Sequence, residues 1–146
     1  RPRRGAQPEF PLRRRRVARV IVVDTSALMA ILLEEPEGNA CIDAMEAASE
    51  LAISAATAIE ALVVADRRNL RAQMQTMLDS LGFEIVDVDA ASVRRIADVY
   101  ASWGKGAHRA ALNFVDCFAY DLAKRRGWDL LYVGRDFAAT DIRSAR

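Results

Sequence analysis

The sequence predicts a single α/β domain built on a largely parallel sheet, and three observations carry that reading. Short apolar, β-branched runs alternate with stretches of helical periodicity. At 146 residues the chain is one domain long, and no internal linker is long enough to divide it. Its composition is globular: 52% hydrophobic, 28% charged, with only 7 Gly and 4 Pro, which excludes a disordered or low-complexity chain.

The elements follow in order. VIVV (20–23) is a fully apolar run that ends at Asp24-Thr25-Ser26, the pattern of a buried strand running into a polar turn. SALMAILLE (26–34) fits a helix with Ser26 near its N-cap. Pro36, at a first helical position, opens a second helix to about Ala48. Leu51-Ala52-Ile53 is a short strand, and Ser54 caps a helix to about Arg68. Leu70, Met74, Met77, Leu78 and Leu81 recur at helical spacing and stop at Gly82. Residues 83–88 alternate as a strand. Asp89 caps a helix whose stripe is Val93, Ile96, Ala97 and Tyr100. Residues 103–111 form a basic loop, 112–126 return to helix, and Leu130 to Val133 is the last strand.

Several classes are excluded at once. Two cysteines are too few for a disulfide framework, and one histidine excludes a multi-His metal centre. No apolar run reaches the roughly 18–20 residues that span a bilayer, so a cytoplasmic protein is expected. The charge is divided unevenly. Residues 1–19 hold eight Arg, one Glu and three of the four prolines, and read as a disordered, Arg-rich extension that could attract a polyanion. Residues 20–146 hold 13 basic and 19 acidic groups and form the folded domain.

Most acids there read as polar helix faces or caps, but three resist. Asp24 stands at the carboxyl end of the first strand, where open parallel sheets bind ligands. Glu60 is the only charged residue from 51 to 65, and Asp116 sits within LNFVDCFAY with no base a helical turn away. A charge in such company is costly unless it is paired or binds a cation. The bland explanation is an Asx turn or a cap of the following helix for Asp24, and a distant salt bridge for Glu60 and for Asp116. Three together suit a hard cation such as Mg²⁺ or Mn²⁺, which takes oxygen ligands, and the matching chemistry is metal-assisted phosphodiester hydrolysis. Lys105, His108 and Arg109 in the basic loop fit a polyanionic substrate. Asn113, read as one turn before Asp116, could orient a metal water or a phosphate.

VIVVDTSALMAILLEEPE, ISAATAIEAL, WGKGAHRAALNFVDCFAYDLAK and LLYVGRDFAATDI stand in this order over about residues 20–142. In these motifs the chain resembles the PIN-domain ribonucleases, and among them the VapC-type toxins of bacterial VapBC toxin–antitoxin pairs. The resemblance implies a three-layer α/β/α fold and a Mg²⁺- or Mn²⁺-dependent endoribonuclease. It also implies a homodimer and inhibition by a VapB-type antitoxin. It puts the family's acids on Asp24, Glu60 and Asp116, with a more variable fourth on Asp136. Related chains often carry an acid where this one has Arg135. Thr25 and Ser26 match hydroxyl positions that support the first acid, and Asp141 matches a recurrent position with a structural role.

Asp24 and Asp116 are accordingly expected to be the main metal ligands. Glu60 would hold a metal water or a weaker second metal, and Asp136 would complete the pocket. Three other readings compete. A Mg²⁺-binding phospho-acceptor domain needs an early acid pair and a late Lys, which are missing. A catalytically weak binding module need not keep the three acids. An aspartyl phosphatase would want DxDxT, whereas Asp24 leads into Thr25-Ser26-Ala27.

Overall fold

The structure, a computed structural model, describes residues 17–146. Four strands, β1 (Val20–Val23), β2 (Glu50–Ser54), β3 (Glu84–Val86) and β4 (Asp129–Leu131), form one sheet in the order β3-β2-β1-β4, with every pairing parallel. Parallel neighbours need crossovers, and helices supply them: α1 (Thr25–Leu32), α2 (Gly38–Ala47), α3 (Ala55–Asp66), α4 (Arg71–Ser80), α5 (Ser92–Trp103) and α6 (Asp116–Arg126).

The strands are apolar on both faces because both faces are covered. Ile21, Val23, Ile53 and Leu131 pack with α1 to α4, while Val22, Ala52, Leu130 and Tyr132 pack with α5 and α6. Alternation along each strand thus divides the interior into two cores and gives the three α/β/α layers that the resemblance implied. Strand order runs outward from β1 to β3, then reverses so that β4 joins the other side of β1. The crevice beyond the carboxyl ends of β1 and β4 is therefore the topological switch point, the usual ligand site of such sheets.

Four local expectations are corrected. Asp24, not Ser26, caps α1. The second helix begins at Gly38 rather than Pro36, because its first turn lies hard against α1: a Cβ at Gly38 would stand 2.8 Å from the Ala30 carbonyl oxygen. The buried side of α5 is Ser92 and Ile96 with half-buried Val99 and Trp103, while Val93 and Tyr100 are exposed. The helix read as 112–126 begins only at Asp116, and Gly127, in the left-handed region at φ 66°, closes it.

Residues 1–16 of the Arg-rich extension lie outside the described residues. Arg19 is bound into the fold: its backbone exchanges bonds with Ser49, and its guanidinium donates to the Ala145 carbonyl at 2.9 Å. Among the described residues no helix is long and apolar enough to cross a membrane.

Candidate metal and active site

Asp24 leaves β1 in an extended conformation, which suits an N-cap, and its buried carboxylate turns over the start of α1. Oδ2 accepts from the Ser26 N–H at 3.0 Å and from the Ser26 hydroxyl at 2.6 Å. That hydroxyl in turn accepts from the Val133 N–H at 3.0 Å. Ser26 thus ties the first acid to the chain leaving β4, across the switch point. Its bond also explains why β4 stops at Leu131: Val133 gives its N–H to a side chain and not to a strand.

Asp116 is held by a reciprocal cap. The Asn113 N–H donates to Asp116 Oδ2 at 2.9 Å, and the Asp116 N–H donates to Asn113 Oδ1 at 2.8 Å. This is the geometry of a capping box, with Asn and Asp in place of the usual Ser/Thr and Glu. Asn113 is therefore a positioning residue for Asp116, and its amide oxygen is already engaged. An acid in the first turn of α6 also benefits from the helix dipole.

Glu60 lies half-buried on α3 beside Thr25. The Thr25 hydroxyl stands between the Glu60 carboxylate and the Thr57 carbonyl, 3.3 Å away, and its single proton serves one at a time. An ionised Glu60 is the stronger acceptor. Asp136 is exposed at the head of a short 3-10 turn (Phe137–Ala139).

The electrostatics bring these acids together. Burial raises the pKa of Asp24, the Ser26 bonds partly offset this, and the charge of Asp136 adds to the rise. Glu60 is raised by burial and by Asp24. Asp116 is pushed up to about 7: burial is the main cause, the Asn113 N–H opposes it, and Asp24, Glu60 and Asp136 each push further. Among the described residues no Lys, Arg or His lies within ion-pair distance of any of the four. Among the described residues the salt-bridge explanation finds no partner for these acids.

The donor set is one a hard cation accepts. All donors are carboxylate oxygens, and both buried aspartates spend Oδ2 on local bonds, leaving Oδ1 without a well-aligned side-chain or backbone donor. Neither oxygen is sealed from solvent. Among the described residues no group of three or more His, Cys, Asp or Glu side chains is arranged so as to hold a metal ion. Mg²⁺ usually keeps several waters and uses one or two carboxylates, so it needs no larger set than two aspartates.

The other singled-out residues divide. Lys105 and Arg109 are exposed on the loop before Asn113, free to meet a polyanion. His108 is turned inward: its ring meets Trp103 edge-on at 4.6 Å and its Nδ1 accepts from the Ala110 N–H, so it braces the loop. Asp141 is bound by the Tyr120 hydroxyl at 2.6 Å and Lys124 at 2.8 Å, which lower its pKa, and it does not join the acid group. Sequence reasoning missed the Val133 N–H, a backbone group that no residue type could signal.

A family model described as PIN domain matches residues 21–143. Ribonuclease VapC30 of Mycobacterium tuberculosis is 38% identical over 125 residues, which cover 84% of this chain and 95% of the relative. The chain belongs to the PIN-domain family, on its VapC branch. Among solved structures, VapC20 of M. tuberculosis, a toxin that cleaves the sarcin–ricin loop, superposes with a TM-score of 0.68 at 16% identity, over 84% of this chain and 95% of its own. VapBC2 of Rickettsia felis, bound to a fragment of its promoter DNA, gives a TM-score of 0.63 at 15% identity, over 86% and 96%. At such identities these two likenesses speak for the fold.

Proposed function

We propose that this chain is a metal-dependent endoribonuclease and the toxin of a VapBC-type toxin–antitoxin pair. One observation supports this most: the charges of Asp24, Glu60 and Asp136 all bear on Asp116 near the switch point, and among the described residues no cationic side chain neutralises them. Asp24 and Asp116 would hold Mg²⁺ or Mn²⁺, with Glu60 as a weaker or water-mediated ligand and Asp136 at the rim. When bound, such a cation activates water and neutralises charge developing on a phosphate. The chain's own residues do the rest. Ser26 and Asn113 fix the two aspartates, so little reorganisation is needed as charge develops. Thr25 steadies Glu60. Lys105 and Arg109 draw the RNA backbone to the acid end of the sheet.

The expected VapB-type antitoxin has a groove to enter. About 770 Å³ of space lies between α2 and α4 at the amino ends of β2 and β3, lined by Ile31, Ile42, Met45, Leu51, Met77 and Leu81, with Glu46, Glu50 and Glu84 among its walls. An amphipathic segment with basic residues fits that surface. Ile59 and Val63, exposed one turn apart on α3, offer apolar surface for the homodimer. With RNA as substrate, the cytoplasm is the expected compartment.

The test is cleavage of a defined RNA by purified protein. Wild type should cut in Mg²⁺ and stop in EDTA, and Asp24→Asn should lower the rate at least about a hundredfold. Cleavage unchanged by EDTA and by Asp24→Asn would refute the reading.

A further inference from the structure

Phe114 has no part in the acid site as described, yet it stands between Asn113 and Asp116 with its side chain largely in solvent, 61% exposed. The ring is open to solvent although two other aromatic rings brace it. Phe114 is held in three ways. The reciprocal Asn113–Asp116 bonds fix its backbone. Phe118 meets its ring at 5.2 Å and 89°, and Tyr100 meets it at 6.5 Å and 72°, both edge to face. These contacts brace the ring without covering it.

A loop with exposed cations precedes it in the chain. The loop carrying Lys105 and Arg109 returns to the strand-like pairing of Gly104 with Leu112, where the Lys105 N–H donates to the Leu112 carbonyl at 2.9 Å, two residues from Phe114. A braced aromatic on the segment that joins exposed cations to an acid-site aspartate suits a single-stranded nucleic acid: phosphates follow the cations, and an unstacked base lies on the ring.

We propose that Phe114 is a stacking platform for an unpaired RNA base beside the scissile phosphate. The inference rests on the nuclease reading and names a positioning residue within it. Stacking on a ring is sequence-tolerant, since every base has a π-face, so Phe114 would set affinity and register more than base identity.

The experiment compares wild type with F114A, F114L and F114W. Binding of a fluorescent single-stranded oligoribonucleotide is read in EDTA by anisotropy, and cleavage in Mg²⁺ is resolved into kcat and KM. Phe114→Ala should weaken binding about tenfold or more and act mainly on KM. Phe114→Leu keeps apolar bulk but has no π-face and should bind as poorly as Ala, whereas Phe114→Trp should restore binding. Unchanged binding in Phe114→Ala, or full rescue by Leu, would overturn the platform. A change of oligomeric state on sedimentation, with RNA binding intact, would assign the ring to self-association and also overturn it. Where wild type cleaves and the Phe114 variants bind normally, only the platform fails. Where wild type cleaves no RNA in Mg²⁺, the nuclease reading fails and the platform with it.

Discussion

Two buried aspartates on α6 are held in opposite ways. Asp121, 6% exposed, takes two bonds from Arg95 at 3.0 and 3.3 Å, and Arg125 approaches to 3.5 Å. Asp116, 8% exposed, faces Asp24, Glu60 and Asp136 and has no cation among the described residues. The first is a closed salt bridge joining α5 to α6. The second is an excess of negative charge, kept by local N–H and O–H donors at a cost to the metal-free fold. Burial alone therefore does not mark a functional acid. The charge of the company does.

The contrast can be broken by exchanging what each acid loses. Asp121→Asn removes a paired charge and leaves two guanidiniums without their partner. Breaking a fully buried pair costs about 3–5 kcal/mol. Arg95 and Arg125 reach solvent, so the loss here should fall well below that, read in a denaturant melt. RNA cleavage by the folded fraction should persist. A stable Asp121→Asn that had lost cleavage would place Asp121 in the site.

A smaller effect tests the local support of Asp24. Ser26→Ala removes the hydroxyl that donates to Asp24 and accepts from Val133. It should cost about 1–3 kcal/mol for the groups left unpaired and lower cleavage while leaving Asp121 and its partners untouched. Equal stability and activity would show that the bridge across the switch point is dispensable.

Asp136 should give the smallest change. It is exposed and acts on Asp24 and Asp116 only through its charge. Asp136→Asn should shift stability by less than about 1 kcal/mol, shrink with added salt, and weaken Mg²⁺ binding modestly. An effect as large as that of Asp24→Asn would make Asp136 a principal ligand.

The comparison also shows what a sequence displays. Glu60 and Asp116 stood out because no base lies a helical turn from either, and among the described residues none comes from elsewhere. Asp121 was overlooked for the converse reason. Lys124 and Arg125 follow it at three and four residues, which reads as a solvated face, and Arg95 comes from another helix. The α/β class followed from apolar runs that both sheet faces bury. Boundaries failed where a side chain took over a backbone bond: Asn113 and Asp116 delay α6, Ser26 captures Val133, and Asp24 pre-empts Ser26 as cap. Such exchanges depend on tertiary placement, which spacing along the chain does not encode.

The central claim is that Asp116 belongs to an uncompensated acid cluster, and thermal melts of Asp116→Asn in EDTA test it most directly. Asn keeps the cap, since its amide oxygen can still accept from Asn113. In wild type the folded-state pKa is raised to about 7 from an ordinary 3.8. The fold therefore has its full stability from this group below about pH 4 and loses it as pH rises through about 7. The account predicts that at pH 8 in EDTA the variant melts at or above wild type. Their difference should shrink toward pH 4, and added Mg²⁺ should stabilise the variant less than wild type. A variant that melts several degrees below wild type at pH 8 in EDTA, yet is stabilised as fully by Mg²⁺, would contradict it.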